Sequence, residues 1–137
     1  MPIAHRVDSA ARVVVAVGYG VVTDADVFAY QRSVWSRPDV VGYSELIDMS
    51  QVTEFETPPT SRVRELAALA VGMDGAATTT RLAILAPGDI AYGLARMYQS
   101  HRELHPGSRK DIEVFRSIEE ALAYLGLESP VRMPEIP

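Results

Sequence analysis

The chain of 137 residues has no cysteine, which excludes disulfide bonds, thiol catalysis and cysteine-ligated metal sites. It has a single lysine, Lys110, beside twelve arginines. Its net charge is −5, and an acidic domain repels the phosphate backbone of nucleic acids. We therefore expect neither a disulfide scaffold nor a nucleic-acid partner.

Long apolar segments are also missing. No stretch approaches the roughly 18 apolar residues of a membrane-spanning helix, and "MPIAHRVDSA" at the start has no apolar run typical of a signal peptide. The segment "ARVVVAVGYGVV" is short and rich in β-branched residues, which indicates a buried strand. The sequence predicts a cytoplasmic protein with no integral membrane segment.

Motifs for common chemistries are missing too. "VGYGVVTD" lacks the third glycine and the lysine of a phosphate-binding loop, and no nucleophile-elbow string or Ser-His-Asp string is present. We expect no cofactor, no metal and no enzymatic activity.

The alternation of strand-like and helix-like segments predicts the order β-β-α-β-α-β-α-β-α. The first two strands form an antiparallel hairpin, with the second ended by Gly18 and Gly20, and the remaining pattern is typical of a mostly parallel sheet with flanking helices. The predicted helices start at Thr23, Thr57, Asp89 and Ser117. For the second, Pro58 takes the first helical position and Gly72 the end.

Length and composition favour one α/β domain over residues 1–127, followed by a proline-rich tail over residues 128–137. Three prolines in ten residues favour an extended or disordered tail. Val131, Met133 and Ile136 are the residues with which it could dock on a neighbour.

Several strings resemble a known family. "ELIDMSQVTEF" before a capped helix is similar to the STAS domain of anti-sigma-factor antagonists, and "APGDIAYGLARMYQ" with "IEVFRSIEEALAYLG" resembles the SpoIIAA-like group of small bacterial STAS/SEC14-type proteins. The resemblance covers roughly residues 3–127. It implies a SpoIIAA-like (STAS-type) mixed five-stranded sheet and a protein that binds a partner or, as SEC14-type domains do, a lipid or other apolar molecule.

One part of the STAS pattern is altered. The serine that a partner kinase phosphorylates in STAS antagonists falls on Pro58 here, which has no hydroxyl. Thr57, Thr60 and Ser61 lie nearby as weak alternatives for a phospho-switch. A hydroxyl at this point is more often a helix cap, so the resemblance implies a module without the usual switch.

The stretch Ala86 to Glu103 predicts a helix that starts at a Pro-Gly-Asp corner and has two faces. Helical periodicity places Ile90, Ala91, Leu94, Tyr98 and His101 towards the sheet, and Asp89, Tyr92, Arg96, Gln99 and Glu103 outward. Tyr92 and Arg96, four residues apart, form either a solvent-exposed cation–π pair or part of a partner surface. With Gly93 and Met97 on the flank, these residues are the candidates for a homodimer or protein-partner interface.

Polar residues at predicted strand ends are the second candidate set. Asp48 and Ser50 lie at the end of the third predicted strand, Tyr43 to Ser50, and Asp89 follows the fourth, at the edge where open α/β sheets bind ligands. Two carboxylates there could bind a cation or act as acid and base, whereas turn and cap hydrogen bonds are the simpler explanation. For Asp89 in particular the favoured role is the N-cap of the helix.

Two further groups complete the candidates. His101 and His105 have the spacing of paired metal ligands, but no companion acidic motif is present and a histidine at a helix end also complements the helix dipole. Phe28, Trp35 and Phe55 either pack in the core or line an apolar pocket between helices and sheet. The sequence thus favours a non-enzymatic binding module, with a closed apolar pocket as the alternative to a partner surface.

Overall fold

A mixed five-stranded sheet forms the centre of the protein, seen in a computed structural model that describes residues 2–56, 58–74, 79–127 and 132–136. The strands lie side by side in chain order, with β1 antiparallel to β2 and every later pair parallel. This arrangement confirms the predicted element order and hairpin. The strands are β1 Ile3–Asp8, β2 Val13–Val22, β3 Ser44–Phe55, β4 Thr80–Leu85 and β5 Lys110–Phe115.

Strand β2 lies inside the sheet, between β1 and β3, and its valines suit this buried position. Val13 to Val17 are each at most 2% exposed, so both faces of the strand are covered, as β-branched runs favour. The predicted end of this strand at Gly18 and Gly20 is wrong, because pairing with β3 continues to Val22 through two shifts of register. Gly20 has a φ of 65°, a conformation that suits glycine at such an irregularity.

Four α-helices follow the strands: α1 Asp24–Val34, α2 Thr60–Met73, α3 Asp89–Glu103 and α4 Ile118–Leu125, with a short 3-10 helix at Pro38–Val40. The capping box predicted at α1 is confirmed, since the side chains of Thr23 and Asp26 each accept a backbone N–H of the other residue. At α4 the hydroxyl of Ser117 accepts from the Glu120 backbone, and Gly126 ends the helix in the left-handed region.

Helix α2 differs from its prediction at both ends. Its N-cap is Pro59, so Pro58 precedes the helix instead of starting it. The predicted cap Thr57 lies outside the described residues. The helix also runs through Gly72 to Met73, because one glycine inside a helix costs only about 1 kcal/mol relative to alanine and does not by itself end it.

The helices cover the two faces of the sheet unequally. Val14 and Ala16 of β2 pack against α1, and Leu82 and Ile84 of β4 pack against α3, all on one face. Helix α2 lies between α1 and α3. On the other face, Ala121 of α4 packs against Val13, Val15, Leu46 and Ala83. The three-helix side is therefore the thicker layer.

The tail contributes to the α4 face. Met133 packs against the cluster around Ala121 in its own chain. Ile136 is 38% exposed, and Val131 lies outside the described residues. Docking of the tail on a neighbouring molecule, and the division at residue 127, stay predictions.

Candidate functional site

An apolar cavity of about 120 Å³ lies between the sheet and helices α1, α2 and α3. Small residues line it from both layers: Ala16 on β2, and Ala91 and Ala95 on α3. Such residues leave a volume that the surrounding larger side chains do not fill. Those larger residues include Val27, Phe28, Ile47, Met49, Leu66 and Leu94.

The cavity runs along the strand direction and has two different ends. Phe55 lies at the carboxyl end of β3 and Asp24 at the start of α1, whereas Glu45 lies near the amino end of β3. The side chains of Asp24 and Arg62 are 31% and 36% exposed, but that of Glu45 is 3% exposed. The outer end therefore lies at the carboxyl edge of the sheet, where α/β folds commonly bind ligands.

The outer end is bordered by an ion pair between two helices. Nε of Arg62 donates to Asp24 at 2.7 Å, and its guanidinium lies 4.1 Å from the centre of the Phe28 ring. Arg62 also donates to Glu65 at 2.8 Å. Because these groups are partly exposed, the ion pair contributes little to stability, but it joins α1 to α2 beside the cavity.

The inner end is a satisfied polar cluster around Glu45. One carboxylate oxygen accepts from Tyr30 at 2.7 Å and from Trp35 at 3.0 Å, and the other accepts from Lys110 at 2.6 Å. The ammonium of Lys110 also lies 3.3 Å from the centre of the Trp35 ring, a cation–π contact. Both carboxylate oxygens are thus occupied by protein donors.

Burial determines how this cluster titrates. Desolvation lowers the pKa of Lys110, and the adjacent Glu45 carboxylate opposes that shift. Burial, with the Glu45 charge as a second cause, raises the pKa of Tyr30 well above its usual value. Tyr30 therefore remains a neutral hydroxyl whose proton is donated to Glu45.

Tyr98 of α3 is the other phenol at the inner end. Its hydroxyl oxygen accepts from Nη1 of Arg102 at 3.4 Å. Arg102 is 1% exposed and forms a salt bridge to Asp74 at 2.7 Å, with a further bond to Ser108. Burial raises the pKa of Tyr98, so its hydroxyl keeps its proton. The described hydrogen bonds use this oxygen only as an acceptor.

For Phe28, Trp35 and Phe55 the sequence leaves two alternatives, core packing or a pocket lining, and the structure shows both. Phe28 and Phe55 line the cavity. Trp35 does not; it bonds Glu45 through its indole N–H and lines a separate pocket of about 30 Å³ beside Lys110. The hydrogen bond from its indole N–H to Glu45 holds Trp35 in that position, which explains why it does not line the cavity.

The predicted faces of α3 need correction. Ile90 is 66% exposed instead of facing the sheet, and Gln99, predicted outward, is 6% exposed. Gln99 is buried because its amide donates to the Ile112 carbonyl at 2.6 Å. The predicted inward positions Ala91, Leu94 and Tyr98 do line the cavity.

The candidate interface residues on α3 have different surroundings. Tyr92, predicted outward, is half-buried against the cluster of Leu82 and Ile84, and the cation over its ring is Arg116, 4.2 Å away. Gly93 and Arg96 are exposed, and Met97 is half-buried. The homodimer and the partner interface stay predictions.

The strand-end candidates are not brought into one site by any described contact. Asp48 is 8% exposed within β3, which continues beyond it, and its carboxylate accepts from the backbone and hydroxyl of Ser50. Asp89 is the first residue of α3, and the cap is Gly88, so its predicted capping role is wrong. Its exposed carboxylate pairs with Arg116 at 2.9 Å. Ligand binding at these residues stays a prediction.

The remaining candidates lie on the surface or beyond a helix. Thr60 and Ser61 are exposed in the first turn of α2, while Thr57 lies outside the described residues. His101 is in α3, but His105 follows its end and so is not on the same helix face. Among the described residues no group of three His, Asp or Glu side chains is arranged to hold a metal ion.

Sequence reasoning missed the polar group at the inner end of the cavity. It consists of Glu45, Lys110, Tyr30 and Tyr98. A signal was available: in a mostly parallel sheet with flanking helices, Glu45 lies on the same strand face as Ile47, which predicts a buried carboxylate. The only lysine of the chain was the available partner. Their pairing depends on strand order, which the sequence alone did not give.

Comparisons with known proteins identify the architecture. No family model and no curated protein matches the chain, and none of the helices that the structure describes could cross a bilayer. A solved structure does match: an uncharacterized protein of the DUF3478 family with a SpoIIAA-like fold from Shewanella loihica PV-4. It is 17% identical with a TM-score of 0.50, and the match covers 90% of this chain and 93% of that one. The sheet order, the flanking helices and this match together show that the chain has the SpoIIAA-like fold.

Proposed function

We propose that this protein binds a small apolar molecule in the cavity between the sheet and helices α1, α2 and α3. The observation that carries the proposal is the cavity itself, with about 120 Å³ lined mainly by aliphatic and aromatic side chains and open at its outer end. Natural cores are packed without voids of this size, and an engineered apolar cavity of about 150 Å³ binds benzene. A maintained space of this kind favours a ligand of about the size of one ring.

The polar groups at the inner end favour binding over catalysis. Glu45 lines the cavity, but its two oxygens already accept from Tyr30, Trp35 and Lys110, so protein donors compete with any substrate for its lone pairs. A general base needs an accessible lone pair within hydrogen-bond reach of the proton that it takes. We therefore propose a binding protein, a carrier or sensor in which the occupied cavity is the functional state.

The direct test is binding of a simple probe. Methylenecyclohexane, titrated into the purified protein and followed by NMR, should shift the methyl resonances of residues such as Val63 and Leu94, which line the cavity. Those of Val13, on the other face of the sheet, should not move. Uniform small shifts across the protein, or none at saturation, would remove the proposal.

A second experiment seeks the natural occupant. Protein purified from the source cells is denatured and extracted with organic solvent, and the extract is compared by mass spectrometry with that of Ala91→Met protein purified in parallel. Ala91 lines the cavity, so a longer side chain there occupies its volume. A compound enriched in the wild-type extract supports the proposal, and identical extracts count against it.

A further inference from the structure

The hydroxyl of Tyr98 is incompletely paired. It lines the cavity, and the bond described for it comes from Nη1 of Arg102 at 3.4 Å. A guanidinium only donates, so this bond uses the oxygen, and no hydrogen bond among the described residues gives the phenolic proton an acceptor. An unused donor inside an apolar space costs free energy, because water would otherwise satisfy it.

No described hydrogen bond joins that proton to the neighbouring polar groups, which are already bonded to one another. Glu45 already receives donors from Tyr30 and Trp35 on one oxygen and from Lys110 on the other. Tyr30 gives its own proton to Glu45 and receives the indole N–H of Trp35. The phenolic proton of Tyr98 is therefore available to a molecule in the cavity.

We propose that Tyr98 is a ligand-binding residue that donates a hydrogen bond to an oxygen acceptor of the bound molecule, so that the ligand is a neutral apolar compound with a carbonyl or ether oxygen directed to the inner end. This proposal rests on the function proposed above. The charges support a neutral ligand, because the inner end already pairs one carboxylate with one ammonium and burying a further charge without a partner is costly.

Gln31 is the competing donor. It is 8% exposed and lines the cavity, but its amide nitrogen lies 3.7 Å from the sulfur of Met73, a weak contact on the α2 side. Its role can be separated from that of Tyr98 because the two side chains lie on different helices, α1 and α3. Each can therefore be replaced singly by an apolar side chain of similar size.

The test compares two probes of nearly equal shape, cyclohexanone and methylenecyclohexane, on wild type, Tyr98→Phe and Gln31→Met. We expect Tyr98→Phe to weaken cyclohexanone binding by roughly fivefold to tenfold, the effect of one neutral hydrogen bond, and to leave methylenecyclohexane binding unchanged or tighter. Equal changes for both probes, or a ketone preference lost in Gln31→Met and kept in Tyr98→Phe, would overturn the assignment.

If the proposed function is wrong, the result differs: neither probe binds the wild-type protein, and the proposed role of Tyr98 is then wrong as well. If Tyr98→Phe does not fold, a second measurement tests the assignment. It is the carbonyl ¹³C chemical shift of cyclohexanone bound to wild type and to Gln31→Met. A downfield, hydrogen-bonded shift in both supports the assignment. A position like that of the ketone in hydrocarbon solvent overturns it.

Discussion

The ammonium group of Lys110 lies 2.6 Å from the carboxylate of Glu45, and both side chains are almost completely buried. The two residues come from β5 and β3, with β4 between them. Glu45 lines the inner end of the apolar cavity, and its pairing with Lys110 joins the edge strand to the centre of the sheet. The pair also lets two opposite charges remain in an interior that would admit neither alone.

Removing one partner tests this arrangement. Lys110→Met leaves Glu45 buried without its cation, and we expect a loss of about 3 kcal/mol in the free energy of unfolding. Urea unfolding followed by circular dichroism measures it. The double variant Glu45→Gln with Lys110→Met should recover part of the loss, because the uncompensated charge is gone.

Arg37 provides the matched control. Its ion pair with Asp39 is also 2.6 Å long, but the side chains are 41% and 55% exposed. Arg37→Met should change stability by less than about 1 kcal/mol, since water screens exposed pairs. Similar losses for Lys110→Met and Arg37→Met would show that burial of the Glu45 pair has no energetic consequence.

The order of strands and helices could be predicted because each element carries its own local pattern. The valines of β2 and the capping box at Thr23 act within a few residues, and the structure confirms both. Glu45 shows the limit of such reasoning. A carboxylate on a strand is buried only if partners reach it, and Lys110 is 65 residues further along the chain.

The predicted faces of helix α3 are partly wrong for the same reason: distant partners decide which polar residues are buried. Hydropathy assigns Gln99 and Arg102 to solvent, yet the Ile112 carbonyl and Asp74 satisfy them and they are buried. The periodicity was still informative for Ala91, Leu94 and Tyr98, which line the cavity. The cavity could only be suspected from Phe28 and Phe55, because an unfilled volume depends on how distant helices pack.

Tyr92 and Arg96 should respond differently to replacement. Tyr92 packs against the core of β4 and under Arg116, so Tyr92→Ala should cost about 2 kcal/mol of stability. Arg96 is exposed, and Arg96→Ala should change stability by less than about 0.5 kcal/mol. Urea unfolding checks both. For the predicted homodimer, light scattering on Arg96→Ala is the cleaner measurement, since weaker association there cannot result from a damaged core.

Filling the cavity should abolish binding without harming the fold. Ala91 lines the cavity from α3, and Ala91→Met should weaken methylenecyclohexane binding by at least roughly tenfold while changing stability by no more than about 1 kcal/mol. Arg96→Met places the same side chain on the exposed side of the same helix and should leave binding unchanged. Calorimetric titration of both variants measures the difference. Equal affinities for the two would place the probe outside this cavity.

Alkaline conditions should destabilise the protein through its buried phenols. Burial raises the pKa values of Tyr30 and Tyr98, so above the ordinary value of 10.0 the unfolded chain releases protons that the folded chain keeps. Stability from these groups is complete below that value and falls as pH rises beyond it, by up to about 1.4 kcal/mol per pH unit for each group. Lys110, with its lowered pKa, has the opposite sign: its contribution rises with pH towards 10.5.

Comparing wild type with Tyr98→Phe at each pH isolates Tyr98, because the other groups are common to both. Urea unfolding from about pH 9 to about pH 11 should show a gentler decline for Tyr98→Phe above about pH 10. Absorbance of tyrosinate gives an independent measurement: of the six tyrosines, Tyr30 and Tyr98 should ionise only when the protein unfolds. Parallel declines in the two proteins, or full ionisation while the protein is folded, would show that the hydroxyl of Tyr98 is not held in its protonated, donating form.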